Sequence, residues 1–258
     1  MISHQMPLTL GWDVSGIVAA VGDEVTRFRV GDAVYALPNI KRNGTYAEFV
    51  AIQHDEVALK PLTISHIEAA TLPLAGITSW KALITSAQLT TGQKVLIHAG
   101  SGGVGSLAIQ IAKSRGAYVI ATTSGKNRAF VESLGANEVI DYQTQQFTKV
   151  LQDLDVVFDT LGGDIQESSW QVLKKGGILV SIVKPPSEKK AREQGKRGAF
   201  VLVEPDASIL DQLTNIVEAG KLRPIIGAEF ALHDIVKAQA LSETGRSVGK
   251  IVLYVGTP

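Results

Sequence analysis

The sequence predicts an α/β fold, a doubly wound parallel sheet with helices on both faces, joined to a smaller β-rich part. Three observations lead there. From residue 76 onward, short apolar runs alternate with stretches of helical spacing. Those runs lack the strict apolar–polar alternation of a half-solvated strand, as burial on both faces requires. Before residue 76 the chain strings β-prone runs between turn signals instead. At 258 residues it exceeds one typical domain of ~100–150 residues and falls short of two, so a lopsided pair is expected.

In residues 1–75 the β-prone runs are Gly16 to Val21 and Thr45 to Val50, separated by the turn pairs Gly22-Asp23, Gly31-Asp32 and Asn43-Gly44. A small barrel or sandwich suits them. Residues 76–205 carry the alternating pattern. Lys94 to His98 reads as a strand, followed by a helix with apolar residues at 104, 107, 108, 111 and 112. Tyr118 to Thr122 is the next strand, and a helix from Lys126 to Leu134 stops at Gly135. Glu138 to Ile140, Asp155 to Asp159 and Ile178 to Val183 are further buried-type strands. Lys184 to Arg197 holds six basic and two acidic residues without interleaved aromatics, which describes a solvated loop with a short helix rather than a nucleic-acid patch. Residues 206–258 open with a helix capped by Asp206 or Ser208, with Ile209, Leu210, Leu213, Ile216 and Val217 on one face. That helix ends at Gly220, and Gly249 to Val255 closes the chain as a strand.

Composition narrows the chemistry. Hydrophobic residues make up 45% and charged residues 19%, enough for a core and too little charge for a disordered chain. The 25 Lys and Arg cancel the 25 Asp and Glu, so no global field draws nucleic acid or an anionic membrane. Cysteine is absent, which removes disulfides, thiolate nucleophiles and Cys-based zinc sites. The first residues contain no basic and apolar signal, and no run is long enough to span a membrane, so a soluble cytoplasmic protein is expected. His4, His54, His66, His98 and His233 include no pair at helical metal-ligand spacing, and no metal site is expected.

One motif carries chemistry. Gly100-Ser101-Gly102-Gly103-Val104-Gly105 follows a strand and opens a helix, the context a dinucleotide fingerprint requires. Its first glycine makes the turn, its second admits a diphosphate against the backbone, and its third packs helix on strand. The free amides at the helix start then hold the diphosphate. Sites for NAD place Asp or Glu about 20 residues later to bind the ribose 2′-hydroxyl. Here Thr122-Thr123-Ser124-Gly125-Lys126-Asn127-Arg128 offers a hydroxyl and two cations instead, which suits the 2′-phosphate of NADPH. A serine hydrolase using Ser101, Asp206 and His233 is the rival reading, but it lacks a His-Gly-Gly oxyanion loop and leaves Gly105 unexplained. His98 reads as a hydrogen-bonded structural residue. Asp159 ends a strand at the sheet's ligand-binding edge, before Thr160-Leu161-Gly162-Gly163, with capping of the helix near Asp164 as the plainer role.

Taken together, these features resemble the medium-chain dehydrogenase/reductase superfamily, in its zinc-free quinone oxidoreductase and enone reductase branch. The likeness runs through Pro7 to Gly16, Gly44 to Val50, Leu72 to Trp80, Val95 to Gly105 and Val139 to Tyr142. It implies a GroES-like β domain over 1–75, a Rossmann domain over 76–205 and a segment over 206–258 that returns to the first domain. It also implies that Thr78 lies near the nicotinamide, that Ser101, Gly102, Gly103 and Val104 hold the diphosphate, and that Ser124, Lys126 and Tyr142 surround the 2′-phosphate and ribose. Phe158 to Leu161 with Ile182 and Val183 would line the remaining path, and a homodimer is implied. Two departures stand out. Zinc-dependent relatives have Gly-His-Glu where this chain has Gly11-Trp12-Asp13, and their four-Cys lobe is missing. Met1 also falls where a typical member already has roughly 60 residues behind it. A partial GroES-like domain is therefore expected, as a truncated sequence or a natural short form, without the family's N-terminal Asn and Tyr near the nicotinamide.

With no zinc to polarise an isolated carbonyl, conjugated acceptors are the better substrates, because hydride addition to a quinone or an α,β-unsaturated carbonyl delocalises charge onto oxygen. Tyr46 and Trp12 are pocket candidates with core packing as the equal alternative, and no proton donor is assigned. A catalytically impaired NADPH-binding protein is the non-enzymatic alternative.

Overall fold

A computed structural model describes residues 6–256, so His4 and the rest of the extreme N-terminus lie outside the described residues. The chain divides into two compact units, one built from residues up to Ile77 and from Glu204 onward, the other from Thr78 to Val203.

The first unit begins with strands β1 (Val14–Ile17), β2 (Ala33–Ala36) and β3 (Val57–Leu59), which form one antiparallel sheet in that order. Where a barrel or sandwich is expected, the described residues thus form a three-stranded sheet. Phe28, Ala36 and Val57 make its small core, with Val14, Val25, Val34 and Ile52 packed around them. Thr45 to Val50 forms no strand. Its amides are drawn into an irregular clasp instead, Thr45 N donating to Gly11 O and Tyr46 N to Leu10 O, both at 2.9 Å. Helix α1 (His66–Ala69) starts at Ser65, whose hydroxyl and Glu68 form a reciprocal capping box. Helix α2 (Pro73–Trp80) follows, and a π-helical stretch continues it from Lys81 to Ser86.

The second unit is the parallel sheet. Its strands are β4 (Lys94–Ile97), β5 (Tyr118–Thr123), β6 (Glu138–Asp141), β7 (Leu154–Asp159), β8 (Leu173–Ser181) and β9 (Arg197–Phe200). They lie in the order β6-β5-β4-β7-β8-β9 with every neighbouring pair parallel. The connecting helices are α3 (Gly103–Ser114), α4 (Arg128–Ser133), α5 (Phe147–Val150), α6 (Gly163–Ser169) and α7 (Glu188–Glu193). Val95, Leu96, Ile97, Val119 and Val157 are fully buried, which accounts for the unalternating apolar runs. The chain winds outward from β4 through β5 to β6, then crosses back to β7 on β4's other side. That reversal places a topological switch point between β4 and β7, where open sheets of this kind bind ligands at their carboxyl edge.

The chain then re-enters the first unit. Helix α8 (Ala207–Glu218) is capped by Asp206, whose carboxylate accepts from Ile209 N at 3.1 Å, and Gly220 ends it with φ of +67°. Strands β10 (Ile226–Ala231) and β11 (Lys250–Tyr254) pair in parallel around helix α9 (Ile235–Glu243). α8 packs on β3, the hydroxyl of Tyr35 on β2 donates to the carbonyl of buried Leu210, and buried Leu213 lies against Gly76. Burial pushes that phenol well above its ordinary range.

Candidate functional site

The glycine loop sits at the switch point. β4 ends at Ile97, His98 follows, and Ala99 then takes a left-handed φ of +51°, unusual for a residue with a side chain. Gly100 N donates to Thr122 O at 2.8 Å and Gly102 N to Ala99 O at 3.0 Å, which closes the turn. α3 begins at Gly103, and a Cβ on Gly105 would stand 2.3 Å from Ala99 O, so only glycine lets the helix start press against the turn. A Cβ on Gly102 would meet only Ala99 O, at 3.3 Å. Residues 101–104 are half-buried while 105–112 are buried, so the helix start is the part that opens outward. Ser79 Oγ donates to Val104 O at 3.2 Å, tying the end of α2 to this first turn. Thr78 is buried within α2.

Ser101 is committed to the loop. Its hydroxyl oxygen takes hydrogen bonds from Thr123 Oγ1 at 3.0 Å and Asn127 Nδ2 at 3.2 Å, with no histidine beside it. The other members of a hydrolytic triad are occupied elsewhere. Asp206 caps α8, and exposed His233 stands 3.8 Å from Asp234. The arrangement gives Ser101 no general base.

The remaining candidates lie at the carboxyl ends of neighbouring strands. Ser124 follows β5, is 8% exposed, and heads the turn Gly125–Asn127 without capping it by its side chain. Lys126 is exposed and makes no ion pair among the described residues, whereas Arg128 stands 3.6 Å from Glu132. Tyr142 follows β6 and is 64% exposed. Leu161 follows β7, and Ile182 and Val183 follow β8; Leu161 and Val183 are both half-exposed. The parallel sheet therefore brings Ser101 to Val104, Ser124, Lys126, Tyr142, Leu161, Ile182 and Val183 to one edge. Thr78 comes instead from α2.

Behind this edge two buried polar side chains, His98 and Asp159, have hydrogen-bond partners on every side-chain N or O atom. His98 is buried between Thr122 Oγ1 at 3.2 Å and Ser169 Oγ at 3.1 Å. Ser169 spends its proton on Ile165 O, so His98 Nε2–H donates to it and Nδ1 accepts from Thr122. Burial lowers the imidazole pKa to about 4, which keeps the ring neutral and structural. The sequence leaves Asp159 equally between a place at the ligand-binding edge and a cap for the helix near Asp164. In the structure its carboxylate instead accepts from Leu161 N, Gly162 N, Gln166 Nε2 and Ser181 Oγ. No local sequence signal points to Gln166 or Ser181, because the three segments meet only across the sheet.

The edge fits a dinucleotide. It offers an open helix start backed by a side-chain-free glycine, a buried hydroxyl not used as a cap, and an exposed lysine. In the first unit, Asp13 Oδ1 accepts from Leu74 N at 2.6 Å and its Oδ2 from Lys250 Nζ at 2.8 Å. Burial opposes the charge on Lys250, but the charge and hydrogen bond of Asp13 outweigh it and hold the ammonium above its usual pKa. The described residues contain no cluster of three or more His, Cys, Asp or Glu able to hold a metal ion.

Comparison with known proteins agrees with this architecture. A mitochondrial NAD(P)H oxidoreductase of Homo sapiens is 34% identical over 285 residues, covering 98% of this chain and 72% of that protein. The chain belongs to the medium-chain dehydrogenase/reductase superfamily. The alcohol dehydrogenase GroES-like domain model matches residues 1–62 and the zinc-binding dehydrogenase model residues 134–253 of this superfamily member. The 2-methylene-furan-3-one reductase of Solanum lycopersicum is 36% identical over 262 residues, and the chain spans 96% of itself and 64% of that relative. Among solved structures, the quinone oxidoreductase from Coxiella burnetii superposes with a TM-score of 0.91 at 36% identity, covering 97% of this chain and 80% of that one. Such relatives set the superfamily member in the quinone oxidoreductase and enone reductase branch. Zinc, which one model's description implies, does not fit the described residues at the motif position: the indole of Trp12 offers no lone pair, both Asp13 oxygens are bonded, and the sequence has no cysteine to add.

Proposed function

We propose that the chain is an NADPH-dependent reductase that delivers hydride to a quinone or an α,β-unsaturated carbonyl without zinc. The observation that carries the coenzyme choice is the β5 end, where Ser124 and unpaired Lys126 stand in place of the acid that would bind a free 2′-hydroxyl. NADPH, when bound, supplies the hydride; the protein aligns it and keeps water out. In this reading the amides of Gly103 and Val104 hold the diphosphate, Gly102, whose own amide closes the turn on Ala99 O, lets it approach the backbone, and the Ser124 hydroxyl and Lys126 ammonium hold the 2′-phosphate with Tyr142 against the adenosine ribose. Leu161, Ile182 and Val183 provide an apolar wall beyond the diphosphate, and Thr78 lies near the nicotinamide. A conjugated acceptor is supported by the missing zinc donors, since charge spread onto an enolate or hydroquinone oxygen needs no Lewis acid.

The proposal extends to a cytoplasmic homodimer acting on small molecules, with neither nucleic acid nor membrane as partner. No helix among the described residues is long and apolar enough to cross a membrane. Some relatives are named as mitochondrial or chloroplastic, and cell fractionation separates those addresses from the cytoplasm. The enzymatic test follows oxidation of NADPH and NADH with a quinone, an enone and a saturated ketone. Turnover of NADPH on the conjugated acceptors alone supports the reading. Equal use of the saturated ketone refutes the zinc-free argument, and tight NADPH binding without turnover favours a coenzyme-binding protein that has lost catalysis.

A further inference from the structure

Asp159 is fully buried at the carboxyl end of β7, and every group around it donates. Leu161 N at 3.0 Å and Gly162 N at 2.8 Å reach Oδ1, while Ser181 Oγ at 2.7 Å and Gln166 Nε2 at 3.1 Å reach Oδ2. The network continues one step outward. Ser181 Oγ accepts from Val183 N at 3.2 Å, and Gln166 Nε2 also donates to Lys184 O at 2.8 Å. One carboxylate thus fixes two neighbouring loops, 160–162 after β7 and 182–184 after β8. The loops touch, because a Cβ on Gly162 would stand 2.8 Å from Val183 Cγ1. Gly162 has φ of +72° and ψ of −159°, a conformation open only to glycine, so this loop has no freedom to relax into a more common shape.

Leu161 and Val183 are the side chains these loops present, and each is half-exposed. Their own packing leaves them loosely held; their backbones are held by a buried anion whose removal from water is tolerable only while its acceptors stay filled. A dinucleotide crosses the switch point with its adenosine ribose at the β5 end and its diphosphate at the β4–α3 turn, so its other half lies toward β7 and β8.

We infer that Asp159, acting through Ser181 and Gln166, is a positioning residue that sets Leu161 and Val183 against the nicotinamide half of the coenzyme. This rests on the dinucleotide reading of the site and adds a role for three residues outside it. The test compares each whole coenzyme with the fragment lacking nicotinamide, by titrating NADPH against 2′-phospho-ADP-ribose and NADH against ADP-ribose. Ser181→Ala removes one donor and the acceptor for Val183 N. Asp159→Asn keeps an acceptor for the two amides but turns an NH2 toward the Ser181 and Gln166 donors. Both variants are expected to bind whole coenzyme about tenfold more weakly, the effect of one misplaced hydrogen-bonded contact, with fragment affinity unchanged. Equal losses for coenzyme and fragment mean a structural role only and overturn the inference, as does no loss in either variant. Should the wild-type chain prefer NADH, the NADPH assignment falls while the NADH and ADP-ribose pair still decides the role of Asp159.

Discussion

Replacing Gly105 by alanine tests whether the start of α3 is held against the β4–α3 turn by contact alone. The added Cβ would stand 2.3 Å from Ala99 O, 2.9 Å from Ala99 C and 2.9 Å from Gly100 Cα, all backbone atoms that cannot swing away. Relief requires the helix start to retreat by about 1 Å, an overpacking that costs about 3 kcal/mol, the upper end for inserted methyl groups. At about 2–4 °C per kcal/mol for a chain of this length, the melting temperature falls by about 6–12 °C. The same retreat carries the amides of Gly103 and Val104 away from the diphosphate, and loss of one or two charge-assisted bonds weakens coenzyme binding by about 10- to 100-fold. Gly102→Ala is the matched control. Its backbone is extended, with φ of −76° and ψ of 173°, and its Cβ would be tight only against Ala99 O. Stability should therefore change by less than about 1 kcal/mol, while coenzyme affinity still falls about tenfold because a methyl group occupies the diphosphate's approach. Calorimetry and coenzyme titration on both variants read the two effects separately. A Gly105→Ala protein with wild-type melting and wild-type affinity would refute the reasoning, and so would a Gly102→Ala protein that binds coenzyme normally.

Three further outcomes are expected. Lys126→Ala should raise the KM for NADPH about tenfold and leave that for NADH unchanged, since only the former has a 2′-phosphate to lose; equal changes in steady-state assays would contradict the assignment. His98 is neutral in the fold with a pKa near 4, below the ordinary 6.5, so the unfolded chain takes up the proton first. Stability is then complete above pH 6.5 and declines as the pH falls toward 4, by about 3 kcal/mol in all. Urea midpoints of wild type and His98→Gln should accordingly converge across that window, and a constant gap would disprove the linkage. Asp13→Ala strips the acceptor from Leu74 N and Lys250 Nζ together, and should lower stability by about 2 kcal/mol in denaturant titrations; Asp13→Asn should recover part of it through the retained acceptor for Leu74 N.

Much of the parallel-sheet unit was legible because its signals are local. Gly100 to Gly105 announces its turn and helix in six consecutive residues, and in the first unit Asp206 and Gly220 likewise mark both ends of α8. Buried strands such as Val95 to Ile97 betray themselves by unbroken apolar character. Signals that depend on distant partners were lost. Thr45 to Val50 has β propensity but is drawn into a clasp with residues 9–11, which no local pattern encodes. β9 begins at the last residue of the basic stretch, has little β character of its own in Gly198 and Ala199, and is recruited by pairing with β8. Of the coenzyme candidates, Ser101 to Val104, Ser124 and Lys126 are readable from the glycine loop and the end of β5, whereas Thr78, Tyr142, Ile182 and Val183 rest on the family resemblance alone. Asp159, Gln166 and Ser181 meet only once β7, α6 and β8 are assembled, so their shared function has no signature in any one segment.

The left-handed Ala99 has a consequence for the timing of order. An alanine visits that region seldom, at a cost of about 1–2 kcal/mol, and glycine would have avoided it. Yet glycine at this point would also free the turn to wander, whereas alanine, pinned by Gly102 N on its carbonyl, has few other shapes to reach. The entropy of forming the cradle is therefore lost when the chain folds, before any ligand arrives. If the loop holds the diphosphate as proposed, the ligand meets it already in its receiving shape, and the preference between two coenzymes should be expressed in how long each stays rather than in how fast it enters.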